Sequence, residues 1–409
     1  MANSNLNSAK NAKNDEFYTQ YSDIQREIEA YLEYDADVFR GKTVYCNCDD
    51  PFESNFFRYF ALNFTRLGIK RLITTSYKPS PIANTQLGLF GDDKTVEVPK
   101  GRPKVTANMF IINEVRDMDG DGVFNLTDVA EQLKANKNNE WAPLDGDGDF
   151  RSQECIELLK QSDIVVTNPP FSLFREYVQQ LVEYGKKFVI IGNMNAITYK
   201  EIFPLIKDNK LWLGATGNGS DMVFAVPSGA EIAESDRQKA ARLGYVGDYT
   251  RLGNSCWFTS LDHGRRHQPL SLMTMTDNLK FNKKLRGKTS YDHYDNYDAI
   301  EVPFTPAIPS DYEGVMGVPI SFLDKYSPEQ FEIIGMTKTP IGTHLRTKVY
   351  QRQVQVDKNG KRSNVTKLND GSAIEVEAAP DDKVCYEVNG KKYIATYPRV
   401  LVKFRKGEE

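Results

Sequence analysis

The sequence has little cysteine and no long apolar run. Among 409 residues there are five cysteines, an odd number without zinc-site spacing, at Cys46, Cys48, Cys155, Cys256 and Cys385. Disulfide-stabilised secreted domains are instead dense in paired cysteines. No apolar stretch approaches the roughly 20 residues of a membrane helix, and the first 17 residues carry no apolar signal segment. These absences argue against a disulfide scaffold and a membrane protein, and they predict a cytoplasmic protein.

Charge of either sign is not in large excess, but it is unevenly distributed. The net charge is −4, with 28 basic and 36 acidic residues in 1–250 and 24 basic and 20 acidic residues in 251–409. A basic C-terminal part favours an enzyme that contacts a polyanion there. Chance variation along a surface explains the charge equally well. The length indicates two or three domains.

The order of predicted elements indicates an α/β fold with a parallel sheet. A helix over 23–34, with Asp23 as its N-cap, precedes a strand at 43–48, a helical run over 52–68 that ends at Gly68, and a strand at 69–77. Strand, helix and strand with short connections are typical of a βαβ unit. The alternation resumes after residue 148. The later runs at 221–227 and 255–261 are predicted to be strands of the same sheet.

Composition divides the chain further. Residues 1–15 are rich in Asn, Lys and Ser, which is typical of a disordered tail. Residues 78–148 are rich in Pro, Gly, Asp and Asn and hold a few strand-like runs, so we expect a β-rich insertion. Residues 16–261 therefore form one α/β domain that contains this insertion. Residues 262–409 lose helical periodicity and form a second, mixed region.

The motif Asn168-Pro169-Pro170-Phe171 is the most informative feature. It follows an apolar strand and precedes a helix, and ligands of open α/β sheets bind at the carboxyl ends of strands. The stiff prolines cannot extend the sheet, so they fix the Asn168 amide and the next carbonyl as acceptors beside the Phe171 ring. This arrangement suits an NH2 group on a planar π-system. The alternative is a proline-terminated strand with a core Phe171.

An acidic loop follows the EF-hand spacing. Asp117, Asp119 and Asp121 alternate before Gly122, and Asp128 occupies the twelfth position. Oxygen ligands at this spacing suit calcium in a structural role. An acidic turn without an ion is the alternative.

Basic residues cluster in the C-terminal region, at 264–267, 280–288, 348–367 and 398–406. Any one cluster is typical of a solvated surface, but together, with Tyr and Asn interleaved, they suit phosphate contact and base readout. Lys283, Lys284 and Arg286 are the strongest phosphate candidates, because they place three cations within four positions.

The motif at 168–171 resembles the catalytic motif of amino-methyltransferases that use S-adenosylmethionine. Five blocks in family order resemble more specifically the EcoRI-type adenine-specific DNA methyltransferases: 15–28, 44–64, 148–174, 253–266 and 295–335. The resemblance implies a Rossmann-like class I methyltransferase sheet over 16–261 and a target-recognition region over 262–409. It also implies S-adenosylmethionine as cofactor and double-stranded DNA as partner of a monomer. Whether a cognate restriction endonuclease acts on the same site, without a stable complex, stays open.

The resemblance also implies roles for individual residues. The cofactor-binding residues are Phe17, Tyr18, Thr19, Asn47, Asp49, Pro51, Asp149 and Phe150. In this set Asp149 accepts from the cofactor adenine and Phe150 packs on its ring, although Asp149 also suits an acid at a helix N-terminus. The glycine-rich loop usual in methyltransferases is absent, and the second strand ends in Thr74-Thr75-Ser76, so no ribose ligand is identified.

The implied catalytic residues are Asn168, Pro169, Pro170 and Phe171. Acceptors at Asn168 and Pro169 would hold the N6 amine of a flipped-out adenine, which stacks on Phe171 with Trp257, or alternatively Phe258, as the second wall. Three other functions remain: methylation of RNA adenine, methylation of a protein glutamine, and non-catalytic DNA binding. The basic C-terminal region argues against glutamine, and the intact motif argues against a non-catalytic relative.

Overall fold

The structure of the protein is a computed structural model. The residues that the structure describes are 18–48, 54–76, 107–118, 120, 125, 128–129, 131–132, 138–216, 222–226, 232–378 and 384–405. The chain divides into two compact units: Met1–Ala196 with Leu211–Gly264, and Ile197–Lys210 with Arg265–Glu409. No helix within the described ranges is long and apolar enough to span a bilayer.

The first unit contains the strands of the α/β fold. They are β1 (Tyr18–Thr19), β2 (Thr43–Cys46), β3 (Arg71–Thr75), β4 (Asn108–Ile112), β5 (Glu140–Pro143), β6 (Ile164–Thr167), β7 (Lys187–Asn193), β8 (Trp212–Leu213), β9 (Val223–Ala225), β10 (Tyr249–Arg251) and β11 (Ser255–Thr259). In the part of the chain that the structure describes, the helices include α1 (Tyr21–Tyr34), α2 (Asn55–Leu62), α3 (Phe64–Leu67), α4 (Gln153–Gln161), α5 (Phe174–Glu183), α6 (Phe203–Lys207), α7 (Glu234–Arg242) and α8 (Met275–Phe281).

An eight-stranded mixed sheet organises this unit in the order β5-β4-β3-β2-β6-β7-β11-β8. Its centre is parallel, because β2 pairs in parallel with β3 and β6, and β6 pairs in parallel with β7. β11 is antiparallel to both β7 and β8, so β8 runs in the direction of β7. The carboxyl ends of β2, β6, β7 and β8 therefore lie at one edge. The predicted α/β class I methyltransferase fold is confirmed.

Two local predictions are wrong. Residues Val223–Ala225 were expected in the main sheet, but β9 pairs with β1 and β10 in a separate three-stranded sheet. A three-residue strand carries too little pattern to specify a partner some 200 residues away. α1 begins at Tyr21 with Gln20 at its N-cap, so Asp23 lies within the first turn.

The insertion contributes to the sheet. β4 pairs antiparallel with β3, and β5 pairs with β4, so the described part of 78–148 extends one edge of the sheet by two strands.

Aromatic residues fill the core of the first unit. α1 buries Ile24, Ile28 and Tyr31, and α2 buries Phe56 and Phe60. Fully burying such a side chain contributes about 1.5–3 kcal/mol. The helical run breaks after Leu62 and ends at the predicted Gly68, whose φ of 63° suits a left-handed C-cap.

The second unit is built mainly from two sheets. Its strands are β12 (Ile300–Glu301), β13 (Met316–Pro319), β14 (Phe331–Met336), β15 (Gln353–Val356), β16 (Arg362–Val365), β17 (Ala373–Val376), β18 (Cys385–Val388), β19 (Lys391–Ala395) and β20 (Arg399–Phe404). The sheet orders are β12-β13-β20-β14 and β16-β15-β18-β19-β17. Buried Asn296 accepts from Ala373 N at 2.8 Å and donates to Gly371 O at 2.9 Å, which fixes the start of β17.

Candidate active site

The Asn168–Phe171 motif lies where β6 ends, at the edge shared by the parallel strand ends. Asn168 follows Thr167 directly and is buried. Leu173 N donates to Pro170 O at 3.0 Å, which closes a 3-10 turn over Phe171–Leu173 before α5 begins. The stiff motif thus forms the strand-to-helix connection that the sequence predicted, with Phe171 only partly buried.

Asn47 joins two adjacent strand ends. It follows β2 and is buried, and its main-chain oxygen accepts from the Thr167 hydroxyl at the end of β6. Its side-chain Oδ1 accepts from the hydroxyl of Tyr177 on α5. Within the described residues Asn47 Nδ2 donates no hydrogen bond. The carbonyl side of this amide is therefore fixed, and its donor side is available to a ligand.

Tyr177 also holds the predicted adenine-packing residue. Its ring meets Phe150 edge-to-face with centroids 5.0 Å apart, and Gln180, one turn along α5, donates to Phe150 O at 3.1 Å. The helix that follows the Asn168 motif therefore positions both Asn47 and Phe150.

Asp149 is oriented by Arg151. The Asp149 carboxylate accepts from Arg151 N at 2.8 Å, Nε at 2.9 Å and Nη2 at 2.7 Å. Burial disfavours its ionisation, but the Arg151 hydrogen bonds and charge prevail and hold the pKa of Asp149 below its ordinary value. The N-cap of α4 is Ser152, which accepts from Cys155 N at 3.3 Å. Asp149 is therefore not the capping residue of that helix.

Gly148 allows this segment to approach β3. Its φ is 74°, and a Cβ there would lie 1.9 Å from the carbonyl oxygen of Ser76, which follows β3. Only glycine fits such a contact at this φ. The Asp149-Phe150 pair is thus held against the end of the second parallel strand. The ribose-binding residue stays unidentified, because residues beyond Ser76 lie outside the described residues.

The N-terminal motif packs near the start of α2. β1 pairs with β9, with Thr19 opposite Phe224, and Asn55 Nδ2 donates to Thr19 O at 2.8 Å. Within the described part of the chain, the buried Thr19 hydroxyl has no hydrogen-bond partner, so it is free to serve a ligand. Phe17, Asp49 and Pro51, which were also predicted to bind cofactor, lie outside the described residues.

Glu27 anchors the loop that follows β8. This fully buried residue of α1 accepts from Ala215 N at 2.8 Å, Thr216 N at 2.7 Å, Thr216 Oγ1 at 2.6 Å and Tyr31 OH at 2.7 Å. Burial raises the pKa of the Glu27 carboxyl although these hydrogen bonds lower it. A Cβ on Gly214 would lie 2.2 Å from Glu27 Oε1. Glu27 thus fixes backbone at the same sheet edge as Asn168.

The prediction for Trp257 is wrong. Its ring is fully buried, meets Phe56 of α2 edge-to-face at 6.1 Å and belongs to the core. The alternate, Phe258, is also fully buried and packs against Phe174 of α5 at 5.0 Å. Helices cover both faces of β11, so neither ring has surface with which to stack a base.

The predicted phosphate contacts lie on a turn of the second unit. Leu285 points inward and is buried, whereas Lys283, Lys284 and Arg286 are exposed. Lys284 Nζ lies 4.9 Å above the Phe304 ring. Among the residues described, no carboxylate lies within 4 Å of these three cations. They are therefore available to an external anion.

The acidic loop is only partly described. Asp128 is buried and accepts from Met118 N and Asn125 N, both at 2.7 Å, and Asp117 accepts from Gly120 N at 2.7 Å. Asp119 and Asp121 lie outside the described residues. The described residues alone form no group of three ligands for a metal.

Sequence reasoning missed Arg151, Tyr177 and Glu27. The sequence offers a signal for Arg151, since it lies two residues after Asp149. Tyr177 and Gln180 are three residues apart and therefore share a helix face, but nothing in the sequence identifies their partners. Nothing in the sequence distinguishes Glu27 as a buried anchor, because it is one of three glutamates in α1.

Comparisons with known proteins identify the chain's relatives. Residues 5–405 match the family described as adenine-specific methyltransferase EcoRI. The type II methyltransferase M.EcoRI of Escherichia coli is 45% identical over 336 residues, which cover 81% of this chain and 89% of the relative. M.MpnI of Mycoplasma pneumoniae is 35% identical over 353 residues, 85% of this chain and 91% of its own length. No solved structure matches significantly. With this match over nearly its whole length, the chain belongs to the EcoRI family of adenine-specific methyltransferases.

Proposed function

We propose that this adenine-specific DNA methyltransferase holds the N6 amine of a flipped-out adenine at Asn168, beside a cofactor cradle formed by the ends of β2 and β6. The observation that carries the proposal is the junction between these strands. Asn47 and Thr167 are hydrogen-bonded to each other, and Asn168 follows directly.

The described residues fit S-adenosylmethionine, the cofactor of the family. The orphan hydroxyl of buried Thr19 and the available donor side of Asn47 need polar partners. Asp149, kept ionised by Arg151, can accept a hydrogen bond from the amino group of the cofactor's adenine, and Phe150 offers an apolar ring on which that adenine can pack. When bound, the cofactor supplies an electrophilic methyl group.

The Asn168 side chain and the Pro169 carbonyl act on the target amine. Adenine N6 is a weak nucleophile because its lone pair is delocalised into the ring. Two fixed acceptors favour a more tetrahedral nitrogen and stabilise its developing positive charge. Flipping the base costs a few kcal/mol, and stacking on the partly buried Phe171 returns about 1–3 kcal/mol. Buried Trp257 takes no part.

Residues 262–409 contact DNA in this proposal. Lys283, Lys284 and Arg286 supply phosphate contacts that carry no sequence information. We expect a monomer that works in the cytoplasm on double-stranded DNA. A restriction endonuclease for the same site, where the host carries one, would act separately and form no stable complex with it.

A structural calcium ion in the acidic loop is a separate proposal. It is supported by the residue types at 117–128, and buried Asp128 closes the loop on itself through two backbone hydrogen bonds. A carboxylate oxygen that accepts a hydrogen bond keeps a lone pair for a cation.

Sequencing of DNA from cells that express the protein, with detection of N6-methyladenine, tests the function. We expect methylation of every copy of one short sequence motif. Unmethylated DNA combined with methylated RNA would favour methylation of RNA adenine. Unmethylated DNA combined with methylated glutamine in a protein would favour methylation of a protein glutamine.

A further inference from the structure

A polar hairpin forms one edge of the five-stranded sheet of the second unit. β15 and β16 pair antiparallel, with Gln353 opposite Val365 and Val356 opposite Arg362. The turn between them is held by Asp357, whose Oδ1 accepts from Asn359 N and Lys361 N, both at 2.8 Å. These bonds give the tip a defined conformation.

The outer strand of this hairpin lies at a sheet edge. β16 is the terminal strand of the order β16-β15-β18-β19-β17, and residues 361–364 are exposed although they alternate between the two faces. Only β15 is tied to the rest of the sheet, by pairing with β18. The hairpin therefore presents side chains in both directions.

The chemistry of this ribbon is cationic and amide-rich. Residues 353–365 contain three cations, Lys358, Lys361 and Arg362, and a single acid, Asp357, whose carboxylate is hydrogen-bonded within the turn. Arg362 is paired with Glu387. In the described part of the chain, the side chains of Lys358, Lys361 and Asn364 make no hydrogen bond or ion pair. Exposed Ser363 and Asn364 both donate and accept, as base edges require.

We propose that this hairpin, residues 353–365, enters a groove of the DNA, where Ser363 and Asn364 read base edges and Lys358 and Lys361 grip the flanking phosphates. This deepens the proposed function and rests on it. Because β15 is paired with β18 over Val354–Val356, the part that enters is the outer strand β16 together with the turn. The major groove is roughly 12 Å wide and admits a two-stranded ribbon, so an edge strand and its turn fit within it. The four residues of β16 span about 3.4 Å each, so the strand is longer than the groove is deep, about 8.5 Å, and can reach its floor.

The rival explanation is that the charges only protect an edge strand from pairing with other chains. Lysines alone suffice for protection, whereas the exposed hydroxyl and amide at 363 and 364 serve readout. The two explanations differ in what happens to sequence preference.

Two double variants separate them, on duplexes carrying the motif methylated in vivo. Lys358→Ala/Lys361→Ala should weaken binding to all sequences and reduce the slope of log affinity against log salt by about 1.8. Ser363→Ala/Asn364→Ala should keep that slope and relax discrimination at one or two base positions by roughly 5- to 150-fold, seen by sequencing a methylated library of altered sites.

The matched control is Lys391→Ala/Lys392→Ala, in the β18–β19 hairpin of the same sheet, which turns on Asn389-Gly390 as the first hairpin turns on Asn359-Gly360. It removes the same charge and should leave slope and preference unchanged. An equal effect of the control would overturn the proposal in favour of net charge. The proposal for the hairpin fails, and the proposed function stands, under one combination of results. The wild type is active, thermal melting shows that all variants are folded, and both hairpin variants keep the salt slope and the sequence preference of the wild type. A wild type that forms no N6-methyladenine overturns the proposed function with it.

Discussion

Replacing Tyr177 by Phe removes one hydroxyl from the centre of the candidate site. The hydroxyl donates to Asn47 Oδ1, and the ring, which the substitution keeps, packs on Phe150. Both Tyr177 and Asn47 are buried, so the loss leaves an unsatisfied carbonyl oxygen at a cost of about 1–3 kcal/mol. The Asn47 amide also loses the bond that orients its donor side.

We expect two effects of Tyr177→Phe. The free energy of unfolding should fall by about 1–3 kcal/mol, and S-adenosylmethionine should bind roughly 5- to 30-fold more weakly, the equivalent of about 1–2 kcal/mol. Isothermal titration calorimetry measures the affinity and urea unfolding measures the stability. Tyr184→Phe, just beyond the end of the same helix, is the control and should change neither. An unchanged affinity in Tyr177→Phe would refute the role assigned to Asn47.

Other expectations follow from single contacts. Arg151→Ala should weaken cofactor binding, measured by calorimetry, because Asp149 loses its side-chain partner; unchanged binding would contradict the role of Asp149. Glu27→Gln should lower the melting temperature, since the amide NH2 would take the place of one carboxylate oxygen and face the two donors that this oxygen now accepts from. Because the folded pKa of Glu27 is raised, its ionisation destabilises the fold, so the stability advantage of wild type over Glu27→Gln should shrink as pH rises above the ordinary value of 4.5. Lys283→Ala/Lys284→Ala should flatten the salt dependence of DNA binding; an unchanged slope would mark a solvated surface. A chelator should lower the melting temperature if the acidic loop holds calcium, and an unchanged value would count against the ion.

The sequence was sufficient for the α/β architecture and for the location of the catalytic motif. Apolar strands alternate with amphipathic helices, and this periodicity is local information. The prolines at 169 and 170 mark the end of β6 for the same reason. These features could be predicted because each depends only on residues that are close together in the sequence.

The contacts that build the site depend on distant partners and could not be predicted. The Tyr177–Asn47 hydrogen bond joins residues 130 positions apart. β1, near the start of the chain, pairs with the distant strand β9, with Thr19 opposite Phe224. Trp257 shows the limit of strand alternation. Alternation places Trp257 and Phe258 on opposite faces, but it does not reveal that α2 and α5 cover both.

The central claim is that Asn168 acts on the target amine and not on the cofactor. Single-turnover methyl transfer to a duplex carrying the recognised motif, measured for Asn168→Ala beside a calorimetric affinity for S-adenosylmethionine, tests it most directly. We predict a rate lower by roughly 100-fold or more with cofactor affinity largely retained. A rate within about tenfold of wild type, where the loss of one preorganised contact should cost far more, would contradict the account.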